Sequence, residues 1–187
     1  MMRHRCSFFV ARWRQGAPAL RHLLFGTLTS LLFLIVSPAF AAPTEPISKT
    51  HTEIPPATDL AADGAWSKTT RKPILLYFER RECPYCVRAQ RYLESVAQSR
   101  RDRARFRRIE ADRADLPLID FQGNPTHHAA FARVMKGTLT PTVMVVDGDG
   151  KPLAPPLIGL PDESFYSYYL EQLIEDGEAQ LQHAANR

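Results

Sequence analysis

The chain has 187 residues, 24 basic against 20 acidic side chains, a formal net charge of +4 and a pI near 9.1. The basic excess is local: Arg3, Arg5, Arg12, Arg14 and Arg21 supply five of the 24 cations, leaving 19 against 20 acids in everything after residue 41. That balance excludes a nucleic-acid partner held by bulk charge, and three cysteines (Cys6, Cys83 and Cys86) exclude a small fold stapled by many disulfides.

Residues 1–41 read as an export signal. The arginines form a positive n-region without an acid, Leu23–Val36 is an apolar h-region, and Ala39-Phe40-Ala41 is an A-x-A cleavage site. The apolar run is short for a membrane span, which needs about 20 residues. A retained anchor facing the periplasm is the alternative to cleavage. No cysteine follows the h-region to carry a lipid and no twin-arginine pair precedes it, so general secretion into the periplasm is expected. Cleavage removes Cys6 and leaves residues 42–187, enough chain for one ordinary domain.

Residues 42–57, rich in Pro, Thr and Ser, read as a flexible lead-in. Asp59–Lys68 suits a short helix with Leu60, Ala61 and Trp66 as its apolar side. Lys72-Pro73 breaks into Ile74–Phe78, a continuous apolar run suited to a strand buried on both faces. Cys83-Pro84-Tyr85-Cys86 follows and opens a helix, with Val87, Tyr92, Leu93 and Val96 near one face and Arg88, Arg91 and Glu94 on the other. A thiol at a helix start meets free backbone N–H groups and the positive end of the helix dipole, which stabilise the nucleophilic thiolate. A second thiol one turn on can resolve a mixed disulfide. The pair closes too short a loop to stabilise the fold much by restricting the unfolded chain.

Arg100–Arg108 holds six arginines, read as a solvated helix end followed by a strand, Phe106–Ala111, that buries Phe106 and Ile109. Arg113–Thr126 is a loop-like insert that packs down through Leu116, Leu118, Ile119 and Phe121. His127–Met135 is helical with Phe131, Val134 and Met135 buried, and Gly137 ends it. Thr142–Val146 is a strand, Asp147-Gly148-Asp149-Gly150 a hairpin turn, and Leu153–Ile158 an edge strand weakened by Pro155-Pro156. Asp162–Asp176 is the final helix, with Phe165, Tyr169, Leu170, Leu173 and Ile174 facing inward, and residues 179–187 are a tail. The order implies an α/β fold with one mixed central sheet flanked by helices on both faces.

His127-His128 beside two thiols invites a metal site, but adjacent histidines point to different faces of a helix and a structural zinc site wants four ligands. Capping and surface exposure are the expected roles. Asp147-Gly148-Asp149-Gly150 lacks the remaining ligands of a calcium loop. No metal and no cofactor are expected.

The run Leu75-Leu76-Tyr77-Phe78, then Cys83-Pro84-Tyr85-Cys86, Thr140-Pro141-Thr142 leading a strand, Asp147-Gly148-Asp149-Gly150-Lys151 and Gly159 resembles the thioredoxin superfamily over residues 58–178. The CPYC motif and the insert resemble exported thioredoxin-like proteins of the SoxW type. The resemblance implies a thioredoxin fold with Cys83 as exposed nucleophile and Cys86 as buried resolving thiol, joined in a redox-active disulfide. It further implies Pro141 as a cis-proline facing them, with Pro84, Tyr85, Thr140 and Pro141 meeting the substrate. Two positions depart from it. Tyr77 stands where thioredoxins carry a buried acid, with Glu79 nearby but expected to face elsewhere. Arg81-Glu82 precedes the motif, and its charges oppose each other across the thiol.

The expected function is an exported thiol–disulfide oxidoreductase, a periplasmic reductant of protein or small-molecule disulfides. Client proteins and a membrane electron donor are its implied partners, and a monomer its expected state. The alternatives are a thiol oxidase, or a thioredoxin-fold binding module or metal chaperone using the cysteines as ligands.

Overall fold

A computed structural model describes residues 53–186; the export signal, the first part of the lead-in and the last residue of the tail lie outside the described residues. Helix α1 (Leu60–Thr70) begins where Asp59 accepts the Ala62 N–H at 2.9 Å, a side-chain cap on a donor with no partner inside the helix. Strand β1 (Ile74–Glu79) follows, then helix α2 (Pro84–Arg100) and strand β2 (Arg105–Glu110). Two short strands, β3 (Pro117–Ile119) and β4 (Pro125–His127), lead into helix α3 (His128–Val134). Strands β5 (Thr142–Val146) and β6 (Leu157–Ile158) precede a 3₁₀ turn at Glu163–Phe165 and helix α4 (Tyr166–Ala185).

The main sheet has the order β2-β1-β5-β6. β1 runs parallel to β2 and antiparallel to β5, and β5 runs antiparallel to β6. The alternation of a strand sends successive side chains to opposite faces, and β1 feeds two cores. Leu75 and Tyr77 join Leu93, Phe106, Val143, Val145, Tyr166, Leu170 and Ile174 under α2 and α4. Ile74, Leu76 and Phe78 join Leu60, Ile109, Leu118, Phe131 and Met144 under α1 and α3. The expected mixed sheet between two helical layers is present.

Local departures have local causes. The described end of the lead-in is fixed rather than flexible: Ala57 N–H donates to Arg108 O and Arg108 N–H to Pro55 O, both 2.9 Å, and Ile54 is buried. The insert is not a loop. β3 and β4 pair antiparallel around a turn in which Asp120 accepts the Gln122 and Asn124 N–H groups, and Leu118 is buried beneath them. In α1 the buried side is Leu60, Asp63, Gly64 and Ser67, with Ala61 and Trp66 only half-covered. Arg105 and Arg107 reach Asp63 from β2, and a Cβ on Gly64 would stand 2.3 Å from the Gly148 carbonyl oxygen.

In α2 the expected inner face holds at Leu93 and Val96, with Tyr92 half-buried, and Arg88 and Arg91 are exposed as expected. Val87 is exposed, whereas Glu94 is buried. Val134 of α3 and Phe165 before α4 are also exposed, not inward-facing. α4 turns Tyr166 fully inward instead and continues past Asp176 to Ala185, so most of the expected tail is helical. The last expected strand shrinks to β6, because Pro155-Pro156 removes ladder donors. Five of the six arginines at 100–108 are paired rather than merely solvated. Arg100 meets Glu171; Arg103 meets Glu175 and Glu178; Arg105 and Arg107 share Asp63; Arg108 meets Glu53, Glu79 and Glu110.

Candidate active site

β1 ends at the sheet's C-terminal side and the chain turns through Arg80-Arg81-Glu82 into α2. Glu82 takes a left-handed backbone (φ 55°), which aims Cys83 into the capping position ahead of the helix. Arg81 pairs with Asp112, with Nε 2.9 Å from Oδ2. Cys83 is the N-cap of α2, and its Sγ accepts the Cys86 N–H at 3.1 Å. Pro84 sits in the first turn, where a missing N–H costs no intrahelical bond. Cys83 and Cys86 form a disulfide with S–S 2.07 Å; they are 6% and 2% exposed, so Cys83 is the more accessible of two covered sulfurs.

The chain brings a second segment against this helix start. Thr140 O lies 3.8 Å and Thr140 Oγ1 3.7 Å from Cys83 Sγ, and the Thr140–Pro141 bond is cis. Pro141 O accepts the Gly159 N–H at 2.7 Å, tying this segment to the end of β6. Pro84 and Tyr85 face outward on α2. The Tyr85 ring lies under the Arg88 guanidinium at 4.7 Å, and Arg88 pairs with Glu163. Cys83, Cys86 and Thr140-Pro141 thus converge, with Pro84-Tyr85 on the outer rim. The arrangement can hold an anionic sulfur at Cys83: the capping N–H and the helix dipole both point at it.

Tyr77 occupies the strand position below the disulfide, fully buried, and donates its hydroxyl to Cys86 O at 3.0 Å. Burial, and secondarily the Glu79 charge, raise the Tyr77 hydroxyl pKa well above the ordinary value, so it stays protonated. Glu79 does not face elsewhere. Two residues on from Tyr77, it leaves the same face of β1 and lines a hollow of about 500 Å³ together with Cys83, Pro84 and Cys86. Burial raises its carboxyl pKa; Arg108, 3.3 Å away, opposes that shift. The period-two alternation of β1, continued one step past the apolar run, was the sequence signal for this residue.

The histidine pair divides. His127 caps α3, its Nδ1 accepting the Ala130 N–H at 3.2 Å. His128 is buried, not exposed: Nδ1 accepts the Glu110 N–H at 3.0 Å and Nε2 donates to Ala57 O at 2.8 Å. Both ring nitrogens are occupied and burial lowers the pKa, so the ring is neutral and unavailable to a metal. Among the described residues no three His, Cys, Asp or Glu side chains gather as a metal site.

Residues 60–174 match a family model described as Thioredoxin-like domain. No curated protein matches the chain. Among solved structures it is similar to mitochondrial thioredoxin 3 from Saccharomyces cerevisiae in its oxidised form, with 20% identity over 67% of this chain and 97% of that one, TM-score 0.46. It is also similar to oxidised thioredoxin O2 from Arabidopsis thaliana, with 16% identity over 65% and 95%, TM-score 0.46.

Proposed function

The chain belongs to the thioredoxin-like domain family, and from that premise we propose that it is a thiol–disulfide oxidoreductase working through Cys83 and Cys86. The observation that carries the reading is the cap itself: the Cys83 sulfur receives the Cys86 N–H at 3.1 Å at the head of a 17-residue helix. Once the disulfide is reduced, the same donor and dipole favour the Cys83 thiolate. That thiolate attacks a client disulfide, one client sulfur leaves, and Cys86 displaces the other by bonding to Cys83. Two electrons pass from the dithiol to the client. Tyr85, Pro84 and the Thr140-Pro141 segment surround the point of attack and are the surfaces a client chain meets.

The arginine-rich, apolar and A-x-A pattern of residues 1–41 supports export to the periplasm. It acts there as a reductant, and because that compartment is oxidising, a membrane electron donor renews its dithiol. The direction rests on the small size of the insert, two three-residue strands with no added client-capture domain. The SoxW-type likeness points to a narrow set of clients.

One experiment tests role and place together. Cys86→Ser should trap client chains on Cys83 as mixed disulfides recovered from the periplasm, attached to a chain beginning at Ala42. Cys83→Ser should trap none; trapping by Cys83→Ser alone would reverse the roles. The reduction potential of the purified protein tests direction: a value below about −200 mV is expected, and one near −120 mV assigns the protein to oxidation instead.

A further inference from the structure

Cys83 and Cys86 are 6% and 2% exposed, so whatever reaches them first meets the rim of the site. Tyr85 stands in that rim, one residue before Cys86, and is 56% exposed. A free tyrosine there would turn about two torsions, and contact with a client would cost the ordering of both. Here the ring is already held. Arg88, three residues on along the same face of α2, lays its guanidinium over the ring at 4.7 Å from its centre.

Arg88 is in turn anchored from another element. Its Nε lies 3.1 Å from Glu163 Oε1, at the start of the 3₁₀ turn that precedes α4. The Glu163 side chain is 36% exposed, yet Oε1 itself is covered and has no aligned hydrogen bond among the described residues. The Arg88 charge is what compensates that covered oxygen. A cation so near the positive end of α2 is unfavourable on its own. Glu163 offsets it, so the pair presents a held ring rather than a net charge.

The three residues form a clasp. The turn before α4 holds Arg88, Arg88 holds Tyr85, and Tyr85 sits between the two cysteines in the chain. Exposed apolar side chains extend the rim: Val87 on α2, Leu139 ahead of Thr140, and Ile158, which pairs with Thr142 beside Pro141. A small disulfide touches Cys83 and little else. A polypeptide disulfide brings flanking backbone and side chains onto these residues, and it alone gains from a tyrosine face fixed in advance.

We propose that Arg88 is a positioning residue for client recognition: anchored by Glu163, it holds the Tyr85 ring as a preformed face for the chain beside the attacked sulfur. The clasp thereby favours polypeptide disulfides over small ones as substrates. The inference rests on the redox reading of Cys83 and Cys86 and adds no step to their exchange.

The test mixes the reduced protein with insulin, a polypeptide disulfide, or with 2-hydroxyethyl disulfide, a small neutral one. The second-order rate constant for oxidation of the dithiol is measured with each. The ratio of the two constants, taken on one sample, is insensitive to partial loss of folded protein. In Arg88→Gln and in Glu163→Gln the ratio of insulin to small disulfide should fall about threefold, the scale of an exposed cation–π contact. In Tyr85→Ala it should fall at least as far, and adding Arg88→Gln should lower it no further. Tyr85→Phe keeps the ring and should keep the wild-type ratio. An unchanged ratio in Tyr85→Ala overturns the proposal and leaves the redox reading standing. So does an Arg88→Gln effect that persists in full without Tyr85 or slows both disulfides equally. A Glu163→Gln change opposite in sign to that of Arg88→Gln also overturns it, since Arg88 would then act through its charge. A wild-type dithiol that neither disulfide oxidises sinks both readings.

Discussion

At the scale of single residues, what the chain conceals is polar. Apolar periodicity places Leu93, Val96, Phe131 and Leu170 correctly in the two cores, since each is on a face that a helix must bury. It says nothing of His128, Asp63 or Glu94, whose burial depends on partners far away in the chain or on the packing of their own helix. His128 carries a testable consequence. Its folded pKa lies below the ordinary value, so the unfolded chain binds the proton more readily. The stability associated with the neutral ring is present in full above about pH 6.5 and is lost as pH falls towards the folded pKa. Melting temperatures of the wild type should therefore drop between about pH 7 and pH 5 more steeply than those of His128→Gln. Parallel curves for the two proteins would show that the ring does not titrate this way.

At the scale of elements, the end of α3 shows how far local signals reach. Gly137 lies where the sequence places the terminator of α3, but for a different reason. The left-handed residue is Lys136 (φ 56°), whose N–H reaches Arg133 O at 3.1 Å, while Gly137 N–H reaches Ala132 O at 2.8 Å. These are the two bonds of a Schellman motif with lysine in the position glycine usually takes. Gly137 is needed because a Cβ there would stand 2.3 Å from the Phe78 ring, in the core. Gly137→Ala should lower stability by about 1–3 kcal/mol in denaturant titrations, by overpacking, whereas Lys136→Gly should be neutral or stabilising. A tolerated alanine would mean that Phe78 moves freely. The same division explains the other elements. The sequence pattern reveals β1 and β5 as continuous apolar runs and α2 by its helical spacing, and it reveals the CxxC placement at a helix start. The pairing of β3 with β4 escapes it, because strands of three residues between prolines look like loop.

At the scale of the molecule, the arginines of residues 100–108 turn out to be fasteners. Arg100 and Arg103 clip the end of α2 to Glu171, Glu175 and Glu178 of α4. Arg105 and Arg107 converge on Asp63 of α1 at 3.0 and 2.7 Å, and Arg108 gathers Glu53, Glu79 and Glu110. Exposed pairs of this kind contribute little singly, but Asp63 is buried and its removal would leave two guanidiniums uncompensated. Asp63→Ala should cost about 3 kcal/mol, read as a lowered urea midpoint, and Arg105→Gln or Arg107→Gln alone should each cost less. Equal losses for all three variants would mean that the arginines do not share the charge. The fold class was legible because its periods are local; this ionic frame was not, because every partner lies on another element.

The edges of the sheet bear on what the protein can safely touch. Under the proposed function the protein would meet half-folded, extended chains, and such chains add themselves to any exposed strand that offers unpaired backbone. Here the outer side of β2 is bridged by residues 55–57 at Arg108, its Glu110 N–H goes to His128 Nδ1, and β6 offers only two residues directly after Pro155-Pro156. Edges so short and so interrupted limit strand addition, so that under the proposed function a client would be held by its sulfur rather than recruited into the sheet.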